Sequence, residues 1–391
     1  LTTATLNINR LLHLLTLYGV SKDELLLKIN VGLKNLLTEN DIFTNEIKIS
    51  HLKKIDKIFN KGLGYYLDPK NPVKSTEESI FFRKDKFNAE LNLGAKQIVN
   101  RFEEEKIAFS TLAKLSDFKL KRNLPVYKIT DNPNHVAHEA RKILYPDFII
   151  EKRDFLKNFI SKLSENNILV FEFVETHNKK EKANINGFYL APDVIVLKRN
   201  QKSLRREVFT LAHELAHYLL NEEEIDDVTS DEIGNYNNLN VIERWCNDFA
   251  YFFLVGDYYK TIDALGVANA NNDYHTDVIE KISHNTHLSS IALYTRLLLH
   301  NKISPTNYKN KSDEIFNSIK EWEAKEKERL EREKQKALDA GRKPGGAVPK
   351  PIISPLYFKT LQSALYNGLI NEADFCKKLS INPQKIEKYL I

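Results

Sequence analysis

The sequence predicts an α+β, mainly helical protein with an N-terminal helix-turn-helix-like bundle, a central domain holding a small antiparallel sheet, and a helical C-terminal region. Three observations predict it. Apolar residues recur at helical spacing through most of the chain. Strand-like runs rich in β-branched and aromatic residues are confined to residues 168–174, 185–190 and 194–197. Residues 313–341 form a dense run of Glu, Lys and Arg with few apolar positions, read as a solvated helix.

The chain has 391 residues, enough for two or three domains, and its 42% apolar and 28% charged composition is that of an ordinary globular protein. The apolar run Phe249 to Gly256 spans eight residues, whereas a membrane helix needs about 20. The apolar segment Leu11 to Val20 carries His13 and lacks a small-residue cleavage site, so it reads as a helix and not a signal peptide. Two cysteines, Cys246 and Cys376, give neither a disulfide framework nor a Cys-rich metal site, and a reducing cytoplasm is the expected compartment. A net charge of +5 does not by itself imply nucleic acid. No Met occurs in the chain, for which we have no physical account.

Residues 1–75 read as short helices, Ile8 to Tyr18, Lys22 to Ile29 capped by Ser21, and His51 to Asn60 capped by Ser50. They hold 11 Lys and Arg against 7 Asp and Glu, or +4. Residues 76–130 are a helical connector, with a helix from about Asp85 to Arg122. Residues 131–300 form the next domain, with helices over Pro133 to Leu144 and Glu151 to Leu163, then a strand Ile168 to Val174. Strands Ile185 to Leu190 and Val194 to Leu197 flank the turn Ala191-Pro192-Asp193 and pair as a hairpin. Helices over Ser203 to Leu220, Val241 to Val255 and Ser289 to His300 complete it. In residues 301–391 the charged helix is broken by Gly341 to Gly346, and helices Leu356 to Tyr366 and Glu372 to Leu379 follow.

His213-Glu214-Leu215-Ala216-His217 puts two imidazoles at i and i+4 on one helix face, where both reach one zinc ion. Glu214 is placed to act as base on a metal-activated water, the arrangement of metal-assisted hydrolysis. The apolar approach Val208 to Ala212 buries the helix, and the preceding hairpin gives a zincin-like layout. A catalytic zinc takes three protein ligands, and Glu243 on the next helix is the candidate third. Asn247, one turn later, faces the same way and is placed to hydrogen-bond a ligand histidine. The acidic run Glu222-Glu223-Glu224 offers competing carboxylates but lies too close to His217 to fold back without strain.

Phe209 to His217, together with Glu243-Arg244-Trp245-Cys246-Asn247-Asp248-Phe249-Ala250, resembles the ImmA/IrrE family of metallo-endopeptidases, and the hairpin Gly187-Phe188-Tyr189 also fits. The resemblance implies zinc, one per chain, on His213, His217 and Glu243, with Glu214 as base. Cys246 stands where the family usually has Ala, and Val255-Gly256 where Met-Pro is common. Ile49 to Ile55, Leu63 to Leu67 and Phe82-Arg83 are similar to members with an N-terminal Xre-type helix-turn-helix. The family implies cleavage of a helix-turn-helix repressor, often encoded alongside, as a stress or mobile-element switch. An extended substrate can pair with either hairpin strand, which makes Gly187, Phe188 and Tyr189 candidates for substrate contact.

Other signals are weaker. His135-Val136-Ala137-His138-Glu139 reads as a solvated helix face. His284, His287, Tyr218 and Tyr251 are each candidates for the oxyanion donor, and sequence does not choose among them. The alternative function is a DNA-binding transcriptional regulator with a metal-binding sensor domain. Against it, Val31 to Phe43, where a recognition helix falls, has Lys34 as its one cation beside Glu39 and Asp41.

Overall fold

The computed structural model describes residues 2–72, 91–118, 120–175, 182–199, 201, 203–224, 239–342 and 349–389. They form two compact units, Leu1–Glu104 with Glu181–Asn184, and Glu105–Lys180 with Ile185–Ile391. The division falls inside one long helix. No described helix is long and apolar enough to cross a membrane.

In the first unit a two-stranded antiparallel ribbon, β1 (Thr3–Thr5) with β2 (Glu46–Lys48), accompanies helices α1 (Ile8–Tyr18), α2 (Lys22–Asn30), α3 (Glu39–Ile42), α4 (Ile49–Phe59) and α5 (Leu63–Leu67). Ser21 caps α2 by accepting from the Glu24 N–H at 3.1 Å. Ser50 is not a cap, which corrects the sequence reading: β2 runs straight into α4, so Lys48 is the extended residue and Ser50 lies within the first turn. Between residues 31 and 43 the only helix is the four-residue α3. The Asn30 side chain makes both hydrogen bonds to the Leu37 backbone, satisfying that loop without helix. Leu11, Leu14, Leu25, Ile47, Leu52, Ile55 and Tyr66 form the core of this unit.

Helix α6 (Leu93–Leu115) stops earlier than Arg122, because Asp117 adopts φ 58° and the Phe118 N–H turns back to the Ala113 carbonyl. The expected helix start at Asp85, the pair Phe82-Arg83, and Lys343 to Gly346 of the C-terminal break lie outside the described residues.

The second unit is built on three strands, β3 (Leu169–Val174), β4 (Gly187–Leu190) and β5 (Val194–Arg199), in the order β3-β5-β4. β4 and β5 make the expected antiparallel hairpin, but β3 runs parallel to β5, pairing Leu169 with Val194. The sheet is therefore mixed, not antiparallel. Helices α7 (Pro133–Leu144), α8 (Lys152–Glu165), α9 (Leu204–Leu220) and α10 (Val241–Val255) share one apolar core with Val170, Tyr189, Ile195 and Leu197. On the alternate strand positions Phe171 meets Tyr357 of helix α15 (Pro355–Tyr366) at 5.0 Å between ring centroids. A sheet covered on both faces reads as continuous hydrophobic strands, as these do.

Between α10 and α15 lie α11 (Tyr258–Ala264), α12 (Thr276–Thr286), α13 (Ser290–Leu299) and the charged helix α14 (Pro305–Asp339), and α16 (Glu372–Leu379) follows α15. Helix α14 starts at Pro305 with Ser304 as its cap, and most of its length is exposed.

Candidate metal centre

Two helices carry the site. Ser203 opens α9 by accepting from the Arg206 N–H, and Val208, Leu211, Ala212, Leu215, Ala216 and Leu219 bury it. Asn240 opens α10 by accepting from the Glu243 N–H at 2.8 Å, which fixes Glu243 in the first turn. Stacked Trp245, Phe249 and Phe253 rings, 5.7 Å apart at each step, anchor α10 in the core, and the Trp245 indole donates to the Asp131 carbonyl.

Their contact brings three sequence-predicted residues together. His213 Nε2 lies 3.2 Å from His217 Nε2, and the two nitrogens lie 3.1 and 3.2 Å from Glu243 Oε2 and Oε1 respectively. Four ligands placed tetrahedrally around zinc at about 2.05 Å stand about 3.3 Å from one another, so these separations fit one ion. The outer nitrogens support the same assignment. His213 Nδ1 is 3.1 Å from Asn247 Oδ1, and His217 Nδ1 is 3.2 Å from the Glu222 carbonyl. Both partners are oxygens that accept, so each Nδ1 carries the proton and each Nε2 presents a lone pair inward. Neither Glu243 oxygen completes a hydrogen bond, although both are buried within ion-pair distance of the imidazoles. Three acceptors converging in a buried place are satisfied by a cation, and His213, His217 and Glu243 are the residues that could hold it.

The electrostatics of the protein groups alone are mutually perturbed. Burial pushes Glu214 up to about 7, further raised by Glu243 and opposed by the two histidines. Burial works against charge on His217, but the Glu243 carboxylate outweighs it and the net shift is upward. Glu243, despite burial, is held well below the usual carboxylate range by His217 and His213.

Glu214 is buried on α9, and its Oε2 has no hydrogen-bond partner. Gly187 of β4 lies against it: a Cβ at that position would stand 2.8 Å from Thr210 Cγ2 and 3.1 Å from Glu214 Cγ and Oε1. Glycine is what lets the strand approach the helix so closely. Phe188 and Tyr189 are fully buried, and the Tyr189 hydroxyl is 3.1 Å from Asn221 Oδ1. All four residues of β4 are buried, backbone included, so Phe188 and Tyr189 present no open surface for substrate contact.

The oxyanion candidates differ in what engages them, and the Tyr218 hydroxyl is buried with no hydrogen-bond partner among the described residues. Tyr218 lies under the Arg122 guanidinium at 3.8 Å and Tyr251 under Arg296 at 4.2 Å. His287 Nε2 donates to the Ile149 carbonyl, 2.7 Å away, and the ring stacks on Phe148, while His284 is exposed. On α7, His135 and His138 are exposed, and Glu139 pairs with Lys142.

The sequence reading missed the segment after α9. Glu222 to Glu224 does fold back, because Asn221 adopts φ 56° and reverses the chain without strain to its neighbours. Its backbone supplies the Glu222 carbonyl to His217, and the Glu224 carboxylate accepts from Asn240 Nδ2 at 3.0 Å. The signal was available: Asn at the end of an apolar helix, the residue type that most readily follows Gly in accepting the left-handed turn.

Neither a curated protein nor a solved structure matches the chain. Residues 165–298, which contain the sheet, both site helices and all three converging side chains, match the peptidase family M78, described as an IrrE N-terminal-like domain. That match supports the resemblance to the ImmA/IrrE family and suggests a metallopeptidase-type function for this segment.

Proposed function

We propose that the chain is a zinc-dependent endopeptidase that hydrolyses a peptide bond in a protein substrate, a helix-turn-helix repressor encoded nearby, as a stress or mobile-element switch in the cytoplasm. The observation that carries it is the convergence of His213, His217 and Glu243, with Glu214 one residue along the same helix. Two imidazoles and one carboxylate are a known donor set for a catalytic zinc, which keeps a fourth position open.

When bound, zinc supplies Lewis acidity and brings the pKa of a water to about 7. Glu214, buried on the same helix one residue from His213, is placed to take a proton from the attacking water. It returns that proton to the amide nitrogen as the C–N bond breaks and the new C–O bond leaves a carboxyl group. Asn247 and the Glu222 carbonyl hold the two imidazoles so that neither rotates out of line.

An extended substrate fits the sheet order. β5 has partners on both sides, so of the two hairpin strands only β4 is an edge strand, and its Gly187 adjoins Glu214. Phe188, Tyr189 and Leu190 are fully buried, so backbone pairing of a substrate segment beside the base requires this edge to be uncovered first. The alternative, a DNA-binding regulator with a metal-binding sensor domain, draws nothing from residues 31–43, where α3 has four residues.

The test is proteolysis of the co-encoded repressor by wild type and Glu214→Gln, with zinc content measured on both. The variant is expected to retain zinc and to lose about 10²- to 10⁴-fold in rate. Equal cleavage rates, or a wild-type protein free of zinc, would sink the proposal.

A further inference from the structure

Three successive acidic residues follow α9, and each is fastened to a different element of the site. The Glu222 carbonyl is 3.2 Å from His217 Nδ1. Glu223 Oε1 accepts from the Ala191 N–H at 2.7 Å, at the end of β4. Glu224 Oε2 accepts from Asn240 Nδ2 at 3.0 Å. The same Asn240 accepts, through Oδ1, from the Glu243 N–H at 2.8 Å.

One amide side chain therefore has its oxygen on the turn that carries Glu243 and its nitrogen on the turn that carries the Glu222 carbonyl. An acidic tripeptide by default lies in solvent, with its carboxylates apart. Here Glu223 and Glu224 are half-buried, and Glu224 faces the Glu243 carboxylate. Asn240 Nδ2 donates to Glu224 Oε2 and fastens that side chain at the start of α10. An N-cap alone needs only the Asn240 oxygen; the nitrogen bond is additional, and it joins two residues 16 positions apart in the sequence.

We propose that Asn240 and Glu224 form a latch that sets Glu243 and His217 at the spacing required by the metal, which makes both of them positioning residues. The proposal rests on the zinc reading of the site. It adds a role for two side chains that neither ligate nor transfer protons, and it makes the segment after α9 part of the centre.

The experiment measures the zinc affinity of the full chain by competition with a chromogenic chelator, and thermal unfolding in excess chelator. Four proteins are compared: wild type, Asn240→Asp, Glu224→Gln and the double variant. Asn240→Asp keeps the cap acceptor but puts an oxygen against Glu224, and affinity is expected to fall about 10-fold or more. Glu224→Gln keeps an acceptor for Asn240 Nδ2 and is expected to stay within about threefold of wild type. In the double variant donor and acceptor are exchanged, and affinity is expected to return to within about threefold of wild type. Unfolding in chelator is expected to be alike in all four.

An Asn240→Asp protein that binds zinc as wild type does overturns the latch. So does Glu224→Gln losing as much as Asn240→Asp, since the effect is then charge alone. Failure of the double variant to recover, or a loss mirrored by equal destabilisation in chelator, overturns it too. A wild-type chain that binds no zinc instead removes the metal reading itself, and the latch with it.

Discussion

Two histidine pairs, each with a glutamate beside one member, lie on two helices of the same unit, and only one of them builds a site. On α7 the apolar residues Val136, Ala137, Ala140 and Leu144 take the core side, which turns His135 and His138 to solvent. Glu139 beside them is engaged by Lys142 at 2.7 Å. On α9 the histidine face is itself covered, by α10, so His217 is 1% exposed and Glu243 2%. The carboxylate arrives from a second helix, and each Nδ1 has its own acceptor. The difference teaches that a histidine pair becomes a metal centre when another element desolvates it and orients both rings. Spacing along the helix is necessary and far from enough.

The sharpest way to break this comparison is to remove one ligand. His217→Ala leaves one imidazole and one buried carboxylate, and zinc measured on the purified protein is expected to fall from one equivalent per chain to background. Retention of the full equivalent would mean that the ion is held elsewhere.

A second prediction concerns the titration that burial imposes on α9. The folded value of Glu214, about 7, lies above its ordinary 4.5, so the folded chain binds this proton more tightly than the unfolded chain does. The stability this contributes is complete below about 4.5 and is lost as the pH rises to about 7. Glu214→Gln removes that titration. In excess chelator the variant is expected to match wild type near pH 4 and exceed it near pH 8, by on the order of 3 kcal/mol, at about 1.36 kcal/mol per unit. His217 is shifted in the same direction, its contribution fading as the pH climbs from 6.5, whereas that of Glu243 fades as the pH falls below 4.5. Thermal unfolding across pH 4 to 8 checks it, and parallel curves for the two proteins would show that Glu214 is not a strained buried acid.

What the sequence disclosed follows the range of the interactions. Helix α9 was legible because its determinants are local: Ser203 at the cap, an apolar approach, a pair at i and i+4. The β4–β5 hairpin was legible from Ala191-Pro192-Asp193. The parallel pairing of β3 with β5 was not, because nothing in residues 169–174 distinguishes one neighbour or direction from another. Ser50 misled because a cap is defined by where the extended backbone ends, and β2 ends at Lys48. The distance from His217 to Glu243 lies beyond local patterning, since it depends on α9 and α10 packing side by side. The folding back of Glu222 to Glu224 turns on one dihedral, φ 56° at Asn221, and a run of three acids argued for solvent instead.

The smallest expected effect lies on the other pair. The double substitution of His135 and His138 by alanine removes two exposed imidazoles from a helix whose core face is untouched. Stability is expected to change by less than about 0.5 kcal/mol, as for surface positions free of caps and buried pairs. Zinc content is expected to stay at one equivalent per chain. Loss of an equivalent here, with His213 and His217 intact, would show that exposed histidines three apart can hold an ion without a covering helix. The contrast between α7 and α9 would then no longer rest on burial, and the donor geometry at α9 would have to carry the whole argument.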